Sequence, residues 1–207
     1  MDEKYILSIT EQKAGRNGIF EALPFPFSTG EAAFPDRESA ELHHGGHYAG
    51  AAAALNERLS CYPAYACCSL RALVMGADRM PAAIRRDVKN LAGSMICHGI
   101  WFAATAPGAS PLRNPELMGE ILRGYGSMEK FRLIFTRCAE ELVGSGWVWL
   151  LRDRFGRLSI QPTHNNELPN LAVYTPILNL DCFEHAYYMR WKNRRDRYTA
   201  AWFRWME

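Results

Sequence analysis

The pattern of apolar residues changes near residue 147, and this change limits the folds open to the chain. Before it, runs rich in Ala, Leu and Glu predict two long helices, Asp36 to about Leu59 and about Pro81 to Ala104. After it, Trp147 to Leu151 has the aromatic and branched residues typical of strands. Two further runs, Arg157 to Gln161 and Tyr174 to Leu180, predict a second and a third strand. The sequence thus predicts a helical part followed by a part that contains a small sheet.

Glycine and proline mark the ends of these parts. Residues 1 to about 35 are rich in both, which predicts an irregular arm, because closely spaced prolines oppose helix formation. A second proline-rich stretch, residues 107–114, predicts a linker, with domains at 1–107 and 108–207. Helices are expected at Asn114 to Leu122 and Ser127 to Leu142, and helical spacing recurs from Phe183 onward.

Composition excludes several functional classes. Of the 207 residues, 48% are hydrophobic and 22% charged, which is typical of a soluble globular protein. The net charge of +2 is too small to favour nucleic acid or an acidic membrane as a partner. No secretory signal is visible near Met1 to Ile9, and no apolar run is long enough to span a bilayer. With six cysteines and no CxxC pair, we expect free thiols and a cytoplasmic location.

The histidines are the candidate functional residues. His43 and His47 are four residues apart and share a helix face, and His98 lies late in the second long helix. Asp181 and His185 have the same spacing, at the predicted end of the third strand. Each signal alone is weak, since a single helical histidine is more often a packed or surface residue. Two antiparallel helices joined by a loop would bring His43 to His98, and the second domain would supply the other pair.

Three imidazoles and one carboxylate would form a borderline-hard ligand set. Such a set suits iron, manganese, cobalt or zinc better than copper(I) or calcium. A single anionic ligand leaves the metal with net positive charge, which favours an open position for solvent or a small anion. With a redox-active ion, the site could exchange single electrons with a diatomic anion.

Four segments resemble one enzyme family. Asp181 to Tyr188 (DCFEHAYY) resembles the D-x-W-E-H-A-Y-Y signature of the iron/manganese superoxide dismutases, and Gly144 to Leu150 resembles their G-S-G-W-x-W-L stretch. Glu41 to His47, with Leu55-Asn56 behind it, resembles the helix of the first ligand. His98, followed by Trp101 and Ala106-Pro107, resembles the second-ligand helix. The resemblance runs from about Leu23 to the C-terminus.

The resemblance implies an α+β fold, with an N-terminal long helical hairpin and a C-terminal α/β domain containing a three-stranded antiparallel sheet. It also implies one iron or manganese ion per chain, held by His43, His98, Asp181 and His185. A metal-bound solvent would complete the coordination and supply a proton as superoxide is converted to oxygen and hydrogen peroxide. Of the two metals, the sequence selects neither.

The resemblance further assigns residues around the metal. Glu184 would reach across a dimer interface to the partner's ligand histidine, the residue that matches His185, so we expect a homodimer. His47 and Tyr188 would pair between subunits at the substrate entrance, and Trp147 would form an aromatic wall.

The chain also departs from the family. Ala51 stands where a tyrosine usually guards the entrance, while Phe183 and Trp101 replace a tryptophan and a tyrosine. The two positions that supply the glutamine next to the bound solvent are occupied by Ser94 and Asn166, and His164 is a further candidate. Hydrogen bonds to this solvent tune the metal's potential. Two alternatives to a dismutase therefore stay open. One is a mononuclear iron or manganese redox enzyme, oxygenase-like, that acts on a small organic substrate. The other is a protein that keeps its metal only for folding or dimerisation.

Overall fold

Helices make up the N-terminal half of the computed structural model, which describes residues 3–26, 28 and 32–207. These helices are α1 (Glu3–Thr10), α2 (Arg37–Leu42), a π-helical turn (His43–Tyr48), α3 (Ala49–Leu59), α4 (Pro63–Ala66), α5 (Leu70–Gly76) and α6 (Ala82–Thr105). From α2 to α3 the chain is helical without a break, which confirms the first predicted long helix. Asp36 caps it, since its Oδ1 accepts a hydrogen bond from the Ser39 N–H at 2.9 Å.

The prediction of an irregular arm through residue 35 is wrong for its first part, where α1 forms. The glycines and prolines that oppose helix formation begin only at Gly15, after α1 has ended. Ile6 and Ile9 of α1 are buried, and Ile9 packs closely against Gly99 of α6. Burial of these side chains stabilises a helix too short to persist by itself. Residues 1, 2, 27 and 29–31 of the predicted arm lie outside the described residues.

The C-terminal half contains the sheet and its flanking helices. In chain order these are α7 (Pro115–Tyr125), α8 (Met128–Glu141), β1 (Gly146–Asp153), β2 (Leu158–His164), β3 (Tyr174–Asp181), α9 (Tyr188–Trp191) and α10 (Arg195–Met206). Asn114 and Ser127 cap α7 and α8 through their side-chain oxygens, as expected for the two predicted helices. The strands are all antiparallel, in the order β2-β1-β3. The α+β fold class is confirmed.

Strand register places a ligand candidate beside a tryptophan. In the central strand β1, Trp147 lies opposite Asp181 of β3 on one side and opposite Thr163 of β2 on the other. The predicted second strand ends at Gln161, but β2 continues to His164, because pairing with Gly146 extends the strand to that point. Strand β3 packs against α6, and Asp181 is the last residue of β3.

Helical spacing after Phe183 is only partly realised. A 3-10 turn (Glu184–Ala186) precedes the single turn of α9, and Lys192 then adopts a φ of 52° before α10 begins. This left-handed residue ends α9, so one continuous helix does not form. Among the described helices, none combines the length and the apolar character that crossing a bilayer requires.

Candidate metal centre

Four side chains from four separate elements converge between the helices and the sheet. His43 comes from the π-helical turn, His98 from α6, Asp181 from the end of β3, and His185 from the 3-10 turn that follows. One nitrogen or oxygen of each lies within 4.8 Å of the others. The structure therefore brings together all four residues that the resemblance implied as ligands.

The carboxylate of Asp181 is the focus of this cluster. Its Oδ2 lies 3.1 Å from the Nε2 of His43, 3.1 Å from the Nε2 of His185 and 3.9 Å from the Nε2 of His98. Two ligands bound to one ion at ~2.1 Å are at most about 4.2 Å apart, so all three spacings suit a shared ion. The other oxygen, Oδ1, accepts a hydrogen bond from the Phe183 N–H at 2.8 Å, which fixes the carboxylate plane.

His98 is oriented by the helix that carries it. Its Nδ1 lies 2.8 Å from the carbonyl oxygen of Ser94 and 3.2 Å from the Ser94 hydroxyl. Because a carbonyl only accepts, Nδ1 carries the proton and Nε2 presents a lone pair to the cluster. Within the described part of the chain, this buried Nε2 has no hydrogen-bond partner. An unpartnered buried nitrogen is costly unless something binds it, so the donor set fits a metal ion.

The protonation states also suit a cation. Burial lowers the pKa of His98 to about 3 and that of His43 to about 4, so both imidazoles are neutral at pH 7. For Asp181, burial favours the protonated form, but the charges and hydrogen bonds of His185 and His43 outweigh it and hold the pKa well below its usual range. A carboxylate and neutral imidazoles are the forms that bind metals.

The same pKa shifts predict that the metal-free protein loses stability in acid. The unfolded chain binds protons at His43 and His98 below pH ~6.5, while the folded chain resists them until their pKa values of about 4 and about 3. The contribution of these two histidines to the free energy of unfolding is thus at its full value above pH ~6.5. It is lost as the pH falls from ~6.5 toward their folded-state pKa values of about 4 and about 3. Urea unfolding of metal-free protein at pH 7.5, 6 and 5 measures it. In His98→Gln, the free energy of unfolding should depend less on pH. An equal pH dependence in both proteins would contradict the lowered pKa of His98.

Aromatic rings surround the cluster. Trp101 lies 4.6 Å from the His43 ring, Trp147 lies 5.1 Å from His98, and Phe183 stacks on His185 at 5.1 Å between centroids. Tyr48 stacks on His98 at 6.0 Å, a contact that the sequence analysis missed. Since these rings are largely buried, they keep bulk water away from the ligands and strengthen electrostatic interactions there.

The residues implied around the metal lie in different settings. His47 stacks on His185 with ring centroids 3.8 Å apart. Glu184 and Tyr188 are exposed and line, with His43, His47 and His185, a cavity of about 630 Å³. This cavity opens beside the ligand candidates His43 and His185. Ala51, at the position of the family's entrance tyrosine, is buried in α3. His164 is exposed at the end of β2.

Asn166 is tied to both halves of the chain. Its Oδ1 accepts a hydrogen bond from the Trp147 indole at 3.4 Å, and its Nδ2 donates to Oδ1 of Asn90 at 3.2 Å. Sequence analysis did not identify Asn90. A signal existed, since Asn90, Ser94 and His98 follow one another at four-residue spacing on one face of α6. Asn90 and Asn166 line a second cavity, of about 720 Å³.

The sequence is similar to one family model and to several curated proteins, and all of these matches name the same enzyme family. Residues 113–207 match the sequence model of the iron/manganese superoxide dismutases, C-terminal domain. Superoxide dismutase (Mn) 1 of Leptolyngbya boryana is 33% identical over 198 residues, which cover 94% of this chain and 79% of the relative. Superoxide dismutase (Mn) of Thermus aquaticus is 30% identical, over 86% of this chain and 92% of its own. The one from Listeria monocytogenes is 33% identical, over 86% and 88%.

Proposed function

The chain belongs to the iron/manganese superoxide dismutase family, and we propose that it disproportionates superoxide to oxygen and hydrogen peroxide. The observation that carries the proposal is the convergence of three imidazoles on one oxygen of Asp181, at the positions that match the family's ligands. Members of this family use iron or manganese, and the relatives from Leptolyngbya boryana and Thermus aquaticus carry manganese in their names. Bound iron or manganese supplies the alternating one-electron oxidation and reduction of superoxide.

The ion would be held by Nε2 of His43, His98 and His185 and by Oδ2 of Asp181. Phe183 N–H and the Ser94 carbonyl hold two of these groups in place, through Asp181 Oδ1 and His98 Nδ1. A ligand set with one carboxylate leaves a net positive site, which attracts an anionic substrate.

The surrounding residues are proposed to shape the site. Trp147 forms a wall against His98 and hydrogen-bonds Asn166, which is the amide best placed to act on a solvent at the site. His164, two positions before Asn166, is a further candidate to act on this solvent, and its support is its position in the sequence relative to the family's glutamine. His47 and Tyr188 border the cavity that reaches the cluster, where they would guide the substrate.

A homodimer is part of the proposal. Apolar side chains are exposed beside the 630 Å³ cavity, among them Leu42 at 56%, Tyr188 at 47% and Met189 at 46%. Glu184 and His185 lie on the same face, where a second copy would cover the apolar side chains and bring Glu184 to the partner's ligand histidine. Sedimentation velocity of the metal-loaded protein tests this, and a monomer at micromolar concentration would contradict it.

We also propose two domains, 1–107 and 108–207, and a cytoplasmic location. Each domain would contribute two ligands, His43 and His98 from the first and Asp181 and His185 from the second, so that the site closes where they meet. All six cysteines are free thiols, and Cys61 and Cys67 are exposed, which supports a reducing compartment.

The decisive experiment pairs metal analysis with a superoxide assay on one sample. Protein loaded with iron or manganese should bind one ion per chain and remove superoxide. Loss of a residue that only hydrogen-bonds a metal ligand already lowers metal affinity or activity by about 10–100-fold. Because His98 is itself a proposed ligand, His98→Ala should lower the rate of superoxide removal by more than about 100-fold. As a control, His44→Gln removes a histidine that lies outside the cluster and should retain one ion per chain.

A loaded protein that removes superoxide no faster than the free metal would sink the dismutase proposal. An oxygenase-like enzyme for a small organic substrate is not favoured, because the relatives above all carry the name superoxide dismutase.

A further inference from the structure

We propose that Asn90 is a positioning residue that fixes the Asn166 carboxamide against Trp147, whose ring lies 5.1 Å from that of His98 in the metal centre. The contact joins two distant parts of the chain, α6 and the segment between β2 and β3, through the 3.2 Å hydrogen bond from Asn166 Nδ2 to Asn90 Oδ1. Its consequence for catalysis rests on the proposed function, because Asn166 acts there on the solvent at the site. The contact itself does not depend on that function.

The orientation of the Asn166 amide follows from its two partners. The Trp147 indole can only donate, so the carboxamide oxygen of Asn166 must face it. The nitrogen then points to the other side, where the Asn90 oxygen accepts one of its two protons. The second proton of this nitrogen has no acceptor in the ranges that the structure describes. The hydrogen bond from Trp147 is long, at 3.4 Å, and by itself holds the amide weakly. The hydrogen bond to Asn90 is shorter, at 3.2 Å, and adds a second restraint.

The backbone of Asn166 is fixed by the same helix. At Gly93 an added Cβ would lie 2.2 Å from the Asn166 carbonyl oxygen, so the loop touches the α6 backbone directly. Asn90 lies almost one turn before Gly93, and Ser94, which orients His98, comes next. One helix therefore sets the position of a metal-ligand candidate and of the amide proposed to act beside it.

Among the described residues, the Asn166 carboxamide forms hydrogen bonds with two side chains, those of Trp147 and Asn90. Ala51 has no polar side-chain atom, and the Ser94 hydroxyl lies 3.2 Å from His98 Nδ1. Asparagine is also shorter than the family's glutamine by one methylene. Asn90 stands at the edge of the 720 Å³ cavity, where it holds this amide.

A double-mutant cycle on the metal-loaded protein tests the proposal, with the midpoint potential of the metal and the superoxide removal rate as readouts. Asn90→Leu removes the acceptor and keeps the number and branching of the side-chain heavy atoms. It should shift the potential in the same direction as Asn166→Ala and lower the rate about five- to tenfold, the effect of one lost hydrogen bond. In the Asn166→Ala background, Asn90→Leu should change neither quantity further.

Two controls separate positioning from folding and from charge. Asn90→Asp keeps an acceptor oxygen and should restore most of the rate, and Lys89→Gln carries the same change in net charge for comparison of potentials. Asn90→Ala serves in place of Asn90→Leu should the larger side chain disturb folding. A potential equal to that of the unaltered protein, or an equal effect with and without Asn166, would overturn the proposal. Loaded protein that removes no superoxide would instead sink the proposed function, while the cycle of potentials would still report on Asn90.

Discussion

Asp181→Asn is expected to abolish metal retention while leaving the fold in place. The amide has almost the shape of the carboxylate, and its oxygen can still accept the 2.8 Å hydrogen bond from the Phe183 N–H. The charge is lost, and the amide can now turn its nitrogen, which has no available lone pair for a metal, to the position of the ligand oxygen Oδ2. With no anionic ligand left, we expect the affinity for the ion to fall by at least about a hundredfold.

Elemental analysis after dialysis against a chelator measures this loss, and superoxide removal should fall in parallel. Asp153→Asn is the matched control. This carboxylate lies at the β1–β2 turn, where it accepts hydrogen bonds from the Phe155 and Arg157 N–H groups and lies outside the cluster. The control should therefore retain one ion per chain. Asp181→Asn protein that keeps a full complement of metal would show that Asp181 is not a ligand.

Gly146→Ala is expected to have the largest effect on stability. An added Cβ would lie 2.1 Å from the Thr163 carbonyl oxygen and 3.1 Å from the His164 Cα, so both obstacles are backbone atoms of β2. Neither can rotate away, and the start of the β1–β2 pairing must open. We expect a loss of about 3 kcal/mol or more in the free energy of unfolding, because overpacking against backbone is relieved only by moving a strand.

Urea unfolding of the metal-loaded protein measures this change. The matched control is Gly124→Ala in α7, where an added Cβ would meet no atom within 4 Å. It should be neutral or stabilising by up to ~1 kcal/mol, since alanine favours helix. The strained variant should also bind metal less well, because Trp147 follows directly and pairs with Asp181. A loss below about 1 kcal/mol would mean that the strands separate more easily than their packing indicates.

Local signals made most of the fold predictable. Asp36, Asn114 and Ser127 stand at helix starts and cap them as their residue types predict. Strands were identifiable because aromatic and branched residues cluster there. The four ligand candidates followed from the family resemblance, since each alone carries little information.

The missed features depend on contacts between distant parts of the chain. Helix α1 is stabilised by packing of Ile6 and Ile9, which no local pattern of capping or proline reveals. Asn90 matters through its contact with Asn166, 76 positions further along the chain. Lys192 interrupts the last helical stretch through its own backbone conformation, which residue type alone does not predict.

The π-helical turn between α2 and α3 has a consequence for the phase of the first long helix. Ala49 N–H bonds to His44 O, five residues back, so this turn takes up one residue more than an α-helical turn. Each residue of an α-helix advances by about 100°, so removing one residue here and restoring regular geometry would rotate everything before it by that angle relative to α3. The π-helical turn, which contains Gly45 and Gly46, thus sets the angular offset between the half of the helix that carries His43 and the half that packs on α6.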